Sequence, residues 1–427
     1  MRRLFAPWWP DRSIQTLIVL AVPLSVVKKV SSVEMRKILK ESSFALMVCA
    51  LAGMVAGVML SSMTGMLEAV PGLLVIIPGA LAMRGNIFGS LGSRLGTSLH
   101  SGQLDPNAKN SSVLFENVLA VVGQTLLLST ILGALAFIFI PGGHLTLVYL
   151  LSMILISVLA GIFAGAMLLG VTLQVAIGGF KKGWDPDNVV APVVTTAGDI
   201  LTIPCVLLAT YIVLWLGNGA IILLSFCIII CTVVYISFFL TRKVLMRTIL
   251  RQSFLVLVLC AFLATVAGHF LEARLESLIV VSGLLILFPP FNDTLGNLGA
   301  ILSSRLSSAA HMGTTRMKAV PDSEAFHNMA AVFFLLLMIF PAIGILAHFT
   351  AVVLGFTSPG ILTMMLVSIL AGVLVSVIAI TASYYFTYLS YRVSVDPDNV
   401  VIPIMTSLMD MVGVFVLLSV LLFMGVI

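Results

Sequence analysis

Charge is what this chain has least of. Only 9% of its 427 residues are Asp, Glu, Lys or Arg, against about 25% in a soluble protein. That scarcity excludes an ordinary soluble domain and a nucleic-acid-binding surface. The net charge of +5 comes from Lys and Arg gathered in short loops, where orientation signals sit. Cysteines are few and unpaired: Cys49, Cys205, Cys227, Cys231 and Cys260 all lie in apolar segments. Without paired spacing on a loop they are read as small apolar residues, not disulfides or metal ligands. No Walker A loop, nucleophile elbow or zinc spacing is present, so ATP-driven pumping by this chain alone and an enzymatic role are not expected.

What is abundant is apolar sequence. Hydrophobic residues make up 60% of the chain and mean hydropathy is +1.19. Apolar runs of about 20 residues, the length of a helical crossing, recur from end to end. In lipid every backbone group must be satisfied internally, so the choice lies between helices and a closed barrel. A barrel alternates polar and apolar residues along short segments, and these runs do not. The expected class is an all-α polytopic membrane protein.

The chain also repeats itself. Asp185-Pro186-Asp187-Asn188, followed by Pro192, Thr195 and Asp199, returns as Asp396-Pro397-Asp398-Asn399, Pro403, Thr406 and Asp410, always 211 positions later. The same offset relates Met35-Arg36 to Met246-Arg247, Gly85-Asn86 to Gly296-Asn297, Ser93-Arg94-Leu95 to Ser304-Arg305-Leu306, and Asn117 to Asn328. This organises the chain as a segment over 1–34, a first repeat over 35–216, a linking apolar stretch over 217–245 and a second repeat over 246–427. The first segment, with Trp8-Trp9 and basic flanks, suits a helix lying in the cytoplasmic interface, an additional span being the alternative.

Each repeat reads as five spans, near 44–64, 70–99, 113–140, 146–179 and 189–216, then 254–272, 278–310, 325–351, 360–390 and 400–427. Five is odd, so direct fusion would invert the second copy. One more span over 219–240 brings the total to about eleven and sets both repeats in parallel orientation. The positive-inside rule then places the N-terminus in the cytoplasm of a plasma-membrane protein.

Asp199 falls about ten residues into the fifth span, roughly 15 Å deep, near the middle of a hydrocarbon core about 30 Å thick. A charged Asp there must face a cavity, an ion or a partner, and Asp410 sits at the same depth. No basic residue is expected at that depth, Arg84 being placed on the inner half of the second span. A divalent cation would balance the two acids, and Mg²⁺, which dehydrates reluctantly, suits a site with few protein ligands. Thr195 and Thr406 lie one turn earlier and could hold the ion's waters. Asp185, Asp187, Asn188, Asp396, Asp398 and Asn399 cap their helices and could gather cations in a vestibule. Gly85, Asn86, Gly296 and Asn297, with nearby prolines, interrupt the second span of each repeat, a pointer to a transport path. Glu116 opposite His327, and Asn292-Asp293 opposite Leu81-Ala82, break the symmetry and are left outside the central site. Carboxylate and water also suit Mn²⁺ and Co²⁺.

The paired motif D-P-D-N-x-x-x-P-x-x-T-x-x-x-D, with G-N-x(6)-S-R-L in each second span, resembles the MgtE-type magnesium transporters. It is closer to their duplicated relatives, solute carrier family forty-one. The resemblance covers the chain from about residue 35. It implies five-span units whose second and fifth helices line an ion path, the pore aspartate mapping onto Asp199 and Asp410. It implies that a two-unit chain works as a monomer, and that sodium is a candidate coupling ion. The regulatory CBS pairs of bacterial members have no counterpart in the 34 residues before the repeat. Two other readings stay open: a sodium- or proton-coupled carrier of another solute, and an intramembrane aspartyl protease, which would need a substrate groove beside its acids.

Overall fold

The computed structural model describes residues 33–105, 111–140, 146–182, 186–311, 315, 317–393 and 397–427. The expected interfacial segment, Asp185 and Asp396 lie outside them. Within the first repeat the helices are α1 (Val33–Ser62), α2 (Thr64–Ala69), α3 (Leu73–His100), α4 (Ser112–Ile138) and α5 (Leu147–Leu173). A π-type segment, Gln174–Gly178, leads from α5 into the short α6 (Gly179–Lys181), and α7 (Pro186–Trp215) closes the repeat. α8 (Asn218–Arg242) links it to α9 (Val244–Glu272), α10 (Leu275–Val280), α11 (Gly283–His311), α12 (Ser323–Val353), α13 (Ile361–Arg392) and α14 (Pro397–Phe423).

The described residues thus hold eleven long helices, five per repeat and one between, as an all-α membrane protein requires. Nine are long and apolar enough to cross a membrane, and α1 contributes a shorter apolar stretch, Leu46–Ser62. α11 is as long but carries Asn292, Asp293 and Asn297 near its middle. Three boundaries differ from the sequence expectation. The short helices α2 and α10 precede the second long helix of each repeat. α1 and α9 begin eleven and ten residues earlier than the apolar spans expected within them. The second long helix is not broken at its internal prolines: Pro78 lies inside α3, and Pro289 and Pro290 lie inside α11. A proline removes one donor and frees the carbonyl four residues back without stopping a well-packed helix.

The repeats are clasped through their first and second long helices, each α1-type helix crossing the second long helix of the other repeat. A Cβ on Gly57 would stand 2.5 Å from the Ile286 carbonyl oxygen, and a Cβ on Gly268 would stand 2.5 Å from that of Val75. The offset of 211 carries Gly57 onto Gly268 and Val75 onto Ile286, so it carries one contact onto the other. Only a residue without a side chain lets the backbones meet so closely. The freed carbonyl four residues before Pro290 is that of Ile286, where α1 crosses. The helix ends are tied reciprocally as well: Ser61 Oγ donates to the Ser282 carbonyl (2.8 Å), and Gly72 N donates to Glu272 Oε1 (2.6 Å). A residue pair whose exchange reproduces the contact is the mark of a two-fold relation. Here it holds between halves of one chain.

α8 rides on the outside of the first repeat, held by Ser225 Oγ to the Leu151 carbonyl (3.2 Å) and Tyr235 Oη to the Leu119 carbonyl (2.9 Å). Glu116 accepts from Leu245 N (3.1 Å) and lies 3.9 Å from Lys243 Nζ, so it secures the α8–α9 junction, away from the centre.

Gly57→Ala and Gly268→Ala are each expected to destabilise the purified protein by about 1–3 kcal/mol, the cost of overpacking. Gly170→Ala, in α5 with open space around it, is expected to be neutral or to stabilise by up to about 1 kcal/mol through helix propensity. Thermal unfolding of the three variants checks the contrast in sign.

Candidate cation site

α7 and α14 each begin at a proline, Pro186 and Pro397, the first-turn position at which proline costs no hydrogen bond. Pro192 and Pro403 therefore stand in the second turn, not the first. Asp187, Asn188, Asp398 and Asn399 fall in the opening turns as expected; their side chains lie outside the described set. From these starts each helix runs apolar to its single internal carboxylate, Asp199 or Asp410.

The structure brings these acids together. Asp410 lies within electrostatic reach of Asp199, one from each repeat. A third carboxylate, which sequence reasoning set aside, joins them: Asp293 of α11 shares a side-chain hydrogen bond with Asp199 and feels Asp410 as well. Its Oδ2 is buried without a partner and faces Gly53 of α1, where a Cβ would stand 2.8 Å away. Beside it, Asn292 Oδ1 is also buried and unpartnered, packed over Gly413 of α14. Asp293 was legible only as a mid-helix acid on the second long helix; searching for symmetric partners passed over it.

Two thiols flank the acids, and these do obey the offset. Cys49 of α1 lies near Thr196, Asp199 and Asp293; Cys260 of α9 lies near Ser407 and Asp410. Cys260 Sγ also donates to the Pro403 carbonyl (3.3 Å). Reading every cysteine as a small apolar residue missed that this pair repeats. All five cysteines are free.

The glycine and threonine positions form the contact between second and fifth long helices. A Cβ on Gly85 would stand 3.5 Å from Thr195 Cγ2, and one on Gly296 would stand 3.3 Å from Thr406 Cα. Thr406 Oγ1 donates to the Pro403 carbonyl (3.0 Å). Asn86 Nδ2 is buried and unpartnered, and Asn297 is half-buried. Arg94 and Arg305 hydrogen-bond Asn117 (2.9 Å) and Asn328 (2.8 Å).

One expectation is corrected. A basic residue does stand at the depth of the acids: Arg84, near the middle of α3, is 1% exposed. Its Cβ would lie 3.6 Å from a Cβ on Gly198, the residue beside Asp199. Successive residues on a helix point about 100° apart, and Arg84 follows the Gly198 face. Its Nη2 donates to Ser129 Oγ (3.2 Å), and no carboxylate is among its electrostatic neighbours.

Among the described residues no three His, Cys, Asp or Glu side chains converge closely enough to grip a bare metal ion. The arrangement instead gathers carboxylates from both repeats at one level of the bundle.

Carboxylates gathered from both halves of a duplicated helical bundle define a membrane protein built to handle cations. Two stretches, residues 77–209 and 288–420, match the family model of MgtE, a divalent cation transporter. Together they cover more than half of the chain, which belongs to that family. The chain is 23% identical over 349 residues to solute carrier family 41 member 3 of Rattus norvegicus, covering 78% of this chain and 75% of that protein. It is 24% identical over 362 residues to solute carrier family 41 member 2 of Xenopus laevis, covering 78% and 62%. No solved structure matches the chain.

Asp293→Asn can keep a hydrogen bond to Asp199 and is expected to unfold within about 0.5 kcal/mol of the parent. Asp293→Leu strands the Asp199 carboxyl and is expected to cost about 1–3 kcal/mol. Thermal unfolding in detergent separates the two.

Proposed function

We propose that this protein carries a divalent cation, Mg²⁺ first among candidates, along a path between its two repeats. Asp199 and Asp410 hold the ion partly hydrated. The supporting observation is that Asp410 lies within electrostatic reach of Asp199, from the equivalent position of the other repeat. Mg²⁺ is usually held by one or two carboxylates and keeps several waters, which fits a site without three converging ligands. Thr195 and Thr406 flank the acids one turn nearer the helix starts, where backbone and hydroxyl oxygens can receive the ion's waters. The acidic clusters that open α7 and α14, Asp185, Asp187 and Asn188 with Asp396, Asp398 and Asn399, form the inner vestibule.

In this reading both repeats run in the same direction, with the N-terminus in the cytoplasm of the plasma membrane. One chain forms the whole path, since it supplies both acids. Mn²⁺ and Co²⁺, which accept the same oxygen ligands, are candidate alternative cargoes.

Coupling to a monovalent cation is a second reading, favoured by Asp293. Three carboxylates against one dipositive ion leave one negative charge, which sodium or a proton would neutralise.

Purified protein in proteoliposomes tests both readings. Asp199→Asn and Asp410→Asn are each expected to cut Mg²⁺ flux about tenfold or more, equivalent to ~1.4 kcal/mol of lost ion stabilisation, with folding intact. Parent-like flux in either variant removes the central site. A sodium gradient of either sign that leaves Mg²⁺ flux unchanged removes sodium coupling.

A further inference from the structure

The duplication supplies an internal control for every position. It singles out one interior where the repeats differ in concert, inside the bundle of α3, α4, α5 and α7. In the second repeat the core at this place is largely apolar, with Asn292 Oδ1 at its edge over Gly413. Leu295, Phe340, Leu336 and Val416 fill it, and the Phe340 ring lies against Gly372. In the first repeat the same positions are Arg84, Ser129, Thr125 and Cys205, and Thr202 replaces Gly413. The guanidinium takes the place of the ring: Arg84 Nη2 would stand 2.8 Å from a Cβ on Gly161, the counterpart of Gly372.

This cluster is sealed from solvent. Arg84 and Thr202 are 1% exposed, Ser157 2% and Ser129 0%. It is also short of partners. Arg84 Nε and Nη1 make no hydrogen bond, and neither do the hydroxyls of Thr125, Ser157 and Thr202. The contrast at Ser157 is direct: its counterpart Ser368 donates to the Phe340 carbonyl (2.8 Å). Thr202 belongs beside the guanidinium, because a Cβ on its counterpart Gly413 would stand 3.0 Å from Leu295 Cδ1, the residue in Arg84's position. Ser157 lies one turn from Gly161 on the same face of α5, and long helical side chains lean towards the helix start, which carries Arg84 to the level of Ser157 and Cys205. The thiol of Cys205 lies within electrostatic reach of Arg84.

A buried guanidinium with no counter-charge is strongly unfavourable, and buried charges are paired or neutralised by a ligand. Every unpartnered group around Arg84 can donate a hydrogen bond, and no carboxylate competes for its charge. Ser for Phe, Thr for Leu and Cys for Val each release volume, against two gains, Arg for Leu and Thr for Gly. Buried donors without acceptors and one net positive charge define a receptor for a small monovalent anion. We propose that the first repeat binds a halide-sized inorganic anion between the Arg84 guanidinium and the hydroxyls of Ser157 and Thr202. The anion neutralises Arg84 on the Gly198 face of α7, about 100° round the helix from Asp199. It stands whether or not Asp199 and Asp410 carry the transported ion, because none of these residues belongs to that site.

The test uses the full chain in detergent, with chloride exchanged for gluconate at constant ionic strength and without divalent cations. Chloride and bromide are expected to raise the melting temperature saturably by several degrees. Arg84→Leu, which installs the residue of the second repeat, is expected to abolish the response whatever its own melting temperature. Crystals of the unaltered protein grown in bromide are expected to show an anomalous peak beside Arg84. Equal melting temperatures in chloride and gluconate, or an undiminished halide response in Arg84→Leu, overturn the proposal. So does a bromide crystal with no peak there, which would leave Arg84 solvated by water alone and also decides the case if Arg84→Leu does not fold.

Discussion

Carboxylates inside an apolar bundle repel one another and lose their hydration, and the fold places three of them together. Isolated in hydrocarbon, each would cost several kcal/mol. The packing that enforces their meeting is apolar and lies next to them. α1 and α9 cross the second long helix of the opposite repeat at Gly57 and Gly268, where backbone meets backbone. One turn before Gly57, Gly53 opens the face over which Asp293 extends its free oxygen. A reciprocal clasp of this kind allows little sliding, since a shift that opens one crossing jams the other. The acids are therefore held by a rigid frame, and a bound cation is the natural offset to their mutual repulsion.

Much of this was legible in the chain itself. A constant offset of 211 residues, one carboxylate per fifth span and an odd number of spans per repeat predict an eleven-helix pseudo-symmetric protein, and eleven long helices are found. The matches to the MgtE family fall on two stretches with the same offset. Other features were hidden for physical reasons. α2 and α10 carry six residues each, too few for periodicity to show a separate helix. Cys49 and Cys260 keep the offset, yet a thiol in an apolar run carries no signal until its neighbours are known. Asp293 fails the symmetry criterion that found Asp199 and Asp410, and depth along α11 was the only cue to it.

The residues that break the symmetry are the more informative set. At matching levels of α3 and α11, the second repeat gains Asn292 and Asp293 where the first has Leu81 and Ala82, and the first gains Arg84 where the second has Leu295. An acid was added on one side of the molecule and a base on the other. They do not neutralise each other: Asp293 turns to Asp199, and Arg84 turns into its own bundle towards Ser129. Two charges only two positions apart once the repeat offset is removed, yet kept from pairing, point to separate duties.

That separation has an electrostatic consequence. An uncompensated guanidinium on the Gly198 face of α7 would oppose any dipositive ion approaching Asp199, since low-dielectric protein screens charges weakly. Had its role been to balance the acids, Arg84 could have done so from the Asp199 face of α7. Its placement on the Gly198 face, among hydroxyls introduced together with it, instead calls for a counter-charge of its own. Duplication gave the molecule two equal halves, and unequal charge within them turned a symmetric frame into one with a distinct environment on either side of the acid pair.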